Sequence, residues 1–399
     1  MTGLKTLRIC FVGWGDSIHM HRWMQPFVEK DYDVHLITNR PSEIKGVVQH
    51  ELAKADAPPA SRIKRILTLR ANTRLVRSIS RTLGIDMLRR ALVIRGMIRA
   101  IEPDIVHLHT LMYPSFLAVL SGFHPMVITP WNGDIVWHTD WSLVRKLAVK
   151  KGLAAADLIT VVSNEMRDRC LEYGDYAGKI QHISFLGVDT SRFRPALDSA
   201  GLRQQLKVPA GAPVIFSSRN LEELYNIDII LRAIPHVVKR FPSATFLFAW
   251  HSAGKKDELL ELAGELSVLD SVRFVGKIPY GELPKYYSAS DVYVSVPSGD
   301  IYGMSIIEAM ACESALVVSD LPSVKEVITH GVNGSVVPVR DEAKTAEAIV
   351  SLLADDRLRK SFGEKNRRWV QNNAEYTGNI RKLERSYHSL AGKAGCRCR

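Results

Sequence analysis

At 399 residues the chain is too long for one compact core and suits two domains of ordinary size. Its 46% hydrophobic and 24% charged residues are those of a soluble globular protein. Five scattered cysteines (10, 170, 312, 396 and 398) and no apolar run near the roughly 18 residues of a membrane span exclude a disulfide scaffold, an integral membrane protein and, with no heptads, a coiled coil. A reducing, cytoplasmic setting is the expectation.

The first apolar run, Leu7–Val12, continues into Gly13-Trp-Gly15-Asp16 without a cleavage signature, so it reads as a strand and not as a signal peptide. Short β-branched runs then alternate with helical patterns, the rhythm of a parallel sheet covered on both faces. Strands are predicted at Leu7–Val12, Asp33–Thr38, Asp104–His109, Met126–Thr129 and Leu158–Ser163, with helices at Ser17–Glu29 and Trp141–Ala155. His107 and His109 alternate on one of these strands and read as strand-end histidines, since a zinc pair lacks a nearby third ligand. His19 and His21 stand where the first helix begins, where one of them could touch a substrate. Trp131, Trp137 and Trp141 flank Asp134 and fit core packing better than a sugar-stacking platform.

The net charge of +11 is local. Residues 61–100 hold eleven Lys/Arg against Asp86 alone. From Arg62 to Leu83, Ile63, Leu67, Leu75, Ile79 and Leu83 recur at multiples of four, while Arg70, Arg74, Arg77 and Arg81 line another face. The pattern fits either a core-facing helix with a solvated basic face or a contact of residues 62–99 with an anionic membrane surface. Nucleic acid is not expected, because interleaved aromatics and a recognition motif are missing.

A break at Leu186-Gly-Val-Asp189 and Arg192-Phe-Arg-Pro195 divides the chain into domains at 1–190 and 191–370. A C-terminal helix at 371–392, drawn back to the first domain, and a tail at 393–399 follow. The second series of strands is predicted at Val214–Ser217, Ala244–Trp250, Val272–Val275, Asp291–Val296, Leu316–Ser319 and Ser335–Val339. Its helices are Ile227–Phe241, Lys255–Leu269, Ser305–Cys312, Leu358–Gln371 and Gly378–Leu390. Two α/β units in tandem make a cleft between them the default ligand site.

The segment Val294–Asp320 carries the most chemistry. A strand gives way to a small, polar loop, and a helix starts near Ser305. Gly303 lets backbone approach a ligand, and the amides of Gly303, Met304 and Ser305 lie at the positive end of that helix, suited to a diphosphate. Asp300 and Glu308 stand eight apart, so both carboxylates can reach one ligand, and paired acceptors suit vicinal diols. The plainer alternative is an acid on the helix dipole and a solvated helical Glu.

The acid, seven residues, Glu308-Ala-Met-Ala-Cys312 and an apolar strand ending Ser319-Asp320 resemble the retaining family 4 (group 1) glycosyltransferases of GT-B fold. Weaker landmarks agree in order: the Gly13/Gly15 loop, Gly-Val-Asp189 with Arg192-Phe, Arg219, Phe274-Val-Gly276, Tyr287-Ser-Ala-Ser-Asp291 and Gly331-Val-Asn-Gly334. The resemblance implies two Rossmann-like parallel-sheet domains facing a cleft, and transfer of a hexose-type sugar from a nucleotide-diphosphate sugar, with retention. The basic stretch at 62–99 would then suit a lipid, lipid-linked or polysaccharide hydroxyl as acceptor and an enzyme peripheral at the inner face of the membrane. The resemblance also implies roles. Glu308 would bind the ribose diol, Asp300 the donor sugar, and the amides of Gly303, Met304 and Ser305 the diphosphate. Arg219 would stabilise the leaving group, Gly276 and Lys277 would pack beside the base, and Gly15 would approach donor and acceptor. Asp134 would orient an acceptor hydroxyl or take its proton. No metal or cofactor is implied, because Arg219 and helix amides can neutralise the diphosphate.

Three positions depart from the pattern. Tyr225 stands for a Lys, Trp131 for a His and Asp300 for a longer Glu. The first two motivate a different class of function, a non-catalytic nucleotide-sugar sensor or scaffold.

Overall fold

The computed structural model describes residues 6–52, 85–135, 143–183, 186–195, 199–300 and 303–397. The basic helix expected over Arg62–Leu83 lies outside them, as do Trp137 and Trp141. Residues 1–162, 166–183 and 380–399 form one compact unit, and 163–165 with 184–379 form a second.

The first unit holds seven parallel strands: β1 (Arg8–Val12), β2 (Asp33–Thr38), β3 (Val48–Glu51), β4 (Ile105–His109), β5 (Met126–Thr129), β6 (Leu158–Val161) and β7 (Ile180–His182). They lie in the order β3-β2-β1-β4-β5-β6-β7. Every residue of β4 and β5 is buried, as expected for inner strands covered on both faces. The two edge strands, Val-Gln-His-Glu and Ile-Gln-His, are polar and partly exposed, which is why no apolar run announces them. Helix α1 (Ile18–Val28) starts at Ser17, whose hydroxyl accepts from the His19 amide.

Further helices of this unit are α2 (Ile85–Ile101) and the short α3 (Asn132–Ile135). Its core includes Phe11, Trp23 and Phe27, with Phe27 stacked on Tyr387 of the C-terminal helix at 5.3 Å between centroids. The Tyr387 hydroxyl meets His107 Nδ1, and His107 Nε2 meets Thr129 Oγ1 at 2.7 Å, so the buried imidazole has a partner on each nitrogen.

The second unit is a six-stranded parallel sheet: β8 (Val214–Ser217), β9 (Thr245–Ala249), β10 (Val272–Gly276), β11 (Val292–Ser295), β12 (Ala315–Ser319) and β13 (Ser335–Val337). The order is β10-β9-β8-β11-β12-β13. Helix α4 (Ile227–Val238) buries Ile227, Ile230, Leu231, Ile234 and Val237, a 3.6-residue stripe against the sheet. Helix α5 (Met304–Ala311) buries Ile306, Ile307 and Met310. Its C-terminal end is held by Arg367 Nη1, which donates to the Ala311 carbonyl at 2.5 Å. Arg367 belongs to α7 (Asp356–Asn373), which follows α6 (Glu342–Ala354), a helix absent from the sequence reading. The last helix, α8 (Tyr376–Arg397), carries Tyr387.

In each sheet the strand order reverses once, between β1 and β4 and between β8 and β11. Loops at the carboxyl ends of the strands flanking such a switch are where open α/β sheets bind ligands.

Candidate functional site

In the second unit the loops after β8 and β11 bring Arg219, Tyr225, Asp300 and Ser305 together. Arg219 follows β8 by two residues and is buried, at 8% exposure. Its Nη2 donates to Asp300 Oδ2 and its Nη1 to Ser305 Oγ at 3.0 Å, while its Cζ lies 4.4 Å from the Tyr225 ring centroid. Burial works against the charge. The carboxylate of Asp300, helped by Tyr293 and Tyr225, more than offsets this, so the guanidinium pKa is raised and the group stays charged.

Gly303 is dictated by this pair. A Cβ there would fall on Arg219 Nη1 and 2.7 Å from Asp300 Oδ2. Gly303 is also the N-cap of α5, with no side-chain cap, so the amides of Met304 and Ser305 open the helix at its positive end beside the cation.

Glu308 sits one turn further along α5, 5% exposed, and accepts from the Tyr287 hydroxyl at 3.0 Å. Ser218 Oγ links the Tyr287 and Tyr293 hydroxyls at 3.0 Å each. Burial, then the nearby Glu308, pushes the Tyr287 phenol well above its ordinary pKa, so it remains a donor. Sequence reasoning took Tyr287 only as a landmark. A hydroxyl at that spacing gives no hint of its partner until the topology places β11 and α5 beside it.

The loop between β8 and α4 is fixed by Asn226, which adopts φ +51. Its amide donates to the Val296 carbonyl at 2.9 Å and Ser298 Oγ at 2.8 Å, tying this loop to the one after β11. Ser319 and Ser323 hydroxyls hold the Pro297 and Asp300 carbonyls at 2.7 Å each. The carboxylate of Asp300 is thus delivered by a stretch pinned at Pro297 and at Asp300 itself.

Gly276 ends β10 with φ +77 and open space where a Cβ would stand, and Lys277 beside it is exposed. Burial, then the Lys277 charge, lowers the His251 pKa, while Glu308 raises it. His251 therefore feels both predicted residues.

The remaining predicted residues, Gly15 and Asp134, belong to the first unit. The Gly15 amide donates to Thr38 Oγ1 at 3.1 Å, and a Cβ there would stand 2.5 Å from the Arg40 carbonyl. Asp134, in α3 after β5, is 1% exposed. Its Oδ1 accepts from Thr110 Oγ1 at 2.6 Å, and its Oδ2 from the Leu111 and Trp131 amides at 2.9 and 2.8 Å. Burial raises its pKa to about 6 against the pull of these three donors. Three of the carboxylate's roughly four acceptor sites are thus taken by the chain's own donors, which leaves one, on Oδ1, for a substrate hydroxyl.

The bond to Thr110 explains a strained residue. Thr110 has φ +70, costly for a β-branched side chain, and lies directly after β4 at the sheet's switch point. Trp131, whose amide shares the Asp134 carboxylate with Thr110, packs its ring against Trp14 and His19, with centroids 5.6 and 5.5 Å away. Arg40 lies 5.0 Å over Trp14. Deeper in, His109 is fully buried without a hydrogen-bond partner on either ring nitrogen. Burial, then the His19 charge, lowers its pKa to about 3, so it is a neutral member of the aromatic core. Among the described residues no group of three or more His, Cys, Asp or Glu could hold a metal ion.

Comparison with known proteins adds family information. Residues 198–369 match the family described as glycosyl transferases group 1, and residues 8–163 match glycosyl transferase 4-like. The phosphatidyl-myo-inositol mannosyltransferase of Mycolicibacterium smegmatis is 30% identical over 268 residues, 65% of this chain and 64% of that protein. The match thus spans just under two thirds of that relative's length. The D-inositol 3-phosphate glycosyltransferase of Nocardia farcinica is 29% identical over 225 residues, 54% of this chain and 49% of that protein. A glycosyltransferase structure from Rickettsia africae superposes with a TM-score of 0.76 at 17% identity, covering 97% of this chain and 99% of that one. The Anabaena protein HepE, solved with UDP, gives 0.76 at 16% identity over 96% and 100%. These two structures speak for the GT-B fold.

Proposed function

The chain belongs to the group 1 glycosyltransferases of GT-B fold, and from that premise we propose that it moves a hexose-type sugar from a nucleotide-diphosphate sugar to an acceptor hydroxyl with retention of configuration. One observation carries the reading: the buried Arg219–Asp300 pair stands at the opening turn of α5, one turn from the buried, hydrogen-bonded Glu308. Fixed positive charge and helix amides suit a diphosphate, and a buried carboxylate already oriented by Tyr287 suits a ribose diol.

In the proposed transfer the bond between the anomeric carbon and the diphosphate oxygen breaks. The acceptor oxygen bonds the same carbon from the same face, and its proton passes to the departing phosphate oxygen. Arg219 and the amides of Met304 and Ser305 stabilise the charge that grows there, without a metal. Asp300 accepts from donor-sugar hydroxyls, and Gly276 and Lys277 flank the base. Asp134 acts in the first unit by fixing the Thr110 hydroxyl and the Leu111 and Trp131 amides beside the acceptor, and Gly15 shapes the neighbouring loop.

The acceptor is proposed to be a lipid or lipid-linked glycan at an anionic membrane surface. The relative named as a phosphatidyl-myo-inositol mannosyltransferase supports this. So does α2, which exposes Leu88 (61%) and Leu92 (58%) alongside Arg89, Arg95 and Arg99. No helix among the described residues is long and apolar enough to cross a membrane.

The test is turnover. The full chain is incubated with UDP- and GDP-hexoses and phosphatidylinositol vesicles, and nucleoside diphosphate release and product configuration are followed by NMR. Release coupled to an α-linked product from an α-linked donor supports the reading. Tight nucleotide-sugar binding without release in any combination favours the sensor.

A further inference from the structure

The Arg219 guanidinium is held from three directions by this chain's own residues. Asp300 takes Nη2, Ser305 takes Nη1 at 3.0 Å, and the Tyr225 ring lies 4.4 Å from Cζ. Its Nε is buried with no hydrogen-bond partner. Asp300 and Ser305 are both groups that the proposed donor would engage, so neither can be relied on to fix the cation while a diphosphate and a sugar compete for it. Tyr225 has no such second task. It sits at the end of the turn Glu223–Tyr225, directly before the left-handed Asn226, whose side chain is locked to Val296 and Ser298.

Resting on the donor reading, we propose that Tyr225 is a positioning residue: its aromatic face keeps Arg219 aimed when Asp300 turns from the guanidinium to the donor sugar. The site therefore recognises the diphosphate with one fixed, ring-backed cation. A desolvated cation over an aromatic face is a strong enough contact to hold a guanidinium plane, and a planar group held in place loses less freedom when it grips an oxyanion. The ring face does most of this, and the Tyr225 hydroxyl adds a smaller polar contact with the same guanidinium. A diphosphate, whose oxygens need the aimed guanidinium, gains more from the ring than a monophosphate does.

The experiment is isothermal titration of the full-length protein with UDP, GDP, UMP and GMP, using wild type, Tyr225→Phe, Tyr225→Leu and Tyr225→Ala, with thermal melts as a folding control. For whichever base binds, Tyr225→Phe should stay within about twofold of wild type. Tyr225→Leu, which keeps bulk without a π face, and Tyr225→Ala should lose about tenfold for the diphosphate. Their monophosphate affinity should hold within about twofold. The proposal is overturned if Tyr225→Leu binds like wild type, if Tyr225→Phe falls as far as Tyr225→Leu, or if mono- and diphosphate affinities fall together. If wild type binds neither UDP nor GDP, the donor reading falls and takes this one with it. Binding by wild type with unaffected variants removes Tyr225 alone.

Discussion

The two sheets place opposite chemistry at the same topological position. Where the strand order reverses in the second unit, between β8 and β11, the loops gather charge: Arg219, Asp300 and, one helical turn on, Glu308. Beside the reversal in the first, between β1 and β4, rings gather instead: Trp14 after β1, His19 in α1 and Trp131 after β5, with neutral His109 at the end of β4. In both, a non-glycine residue with positive φ (Asn226 and Thr110) is held by a side-chain bond linking two loops. The scaffold solution is shared and the surface is not. A charged, largely buried cluster suits a diphosphate, whereas indole edges suit the weakly polar ring of a polyol or glycan.

Breaking the charged side should cost most. Arg219→Ala leaves the Asp300 carboxylate buried without its cation and removes the charge on the leaving group, so turnover should fall about 10²–10³-fold in steady-state assays. Arg219→Lys should recover only part of this, since an ammonium cannot serve Asp300 and Ser305 in one plane.

The ringed side should reveal itself through pH. The folded pKa of His109 is about 3 against 6.5 for a free side chain, and that of His107 is also well below it, both chiefly by burial. Below 6.5 the unfolded chain binds more protons than the folded one, so this stability is complete above pH 6.5 and lost as pH falls toward 3. Asp134 acts oppositely: with its pKa raised to about 6, the cost of its burial disappears as pH drops through 6. Two histidines outweigh one carboxyl, and urea denaturation should show a net loss of stability between pH 6.5 and 4.5. His109→Phe should flatten that slope.

Asp134→Asn sharpens the comparison next. An amide can keep serving the Leu111 and Trp131 N–H groups while donating to Thr110, so a positioning role predicts loss of activity within about fivefold. A residue that takes the acceptor's proton would instead cost about 10²–10⁴-fold. Trp131→Ala should raise the acceptor KM roughly threefold to tenfold. Smallest, Tyr387→Phe leaves His107 Nδ1 short of a partner and should lower stability by about 1–2 kcal/mol in the same denaturation assay.

The sequence made the inner strands legible because burial on both faces demands apolar runs. Asp33–Thr38, Met126–Thr129 and Val214–Ser217 are found with the limits read from the residues. Edge strands β3 and β7 escaped because their polar residues obey no such demand. Helix α6 has strong helix formers and buries Ala346, Ile349, Leu352 and Leu353 on one face, yet it too was missed. At the charged site, Gly303 and the acid–Glu spacing were readable because they fall within one short stretch of chain that resembles the group 1 glycosyltransferase pattern. The Tyr287–Glu308 bond, the ring behind Arg219 and the strained Thr110 were not, since each depends on residues that only the strand order brings together.

The most direct measurement is the UDP and GDP affinity of wild type, Glu308→Ala and Trp131→Ala by isothermal titration. The account predicts that wild type binds one of the two, that Glu308→Ala weakens it by at least tenfold, and that Trp131→Ala leaves it unchanged. Equal loss in both variants, or none in Glu308→Ala, would contradict the division between a charged donor site and a ringed acceptor surface.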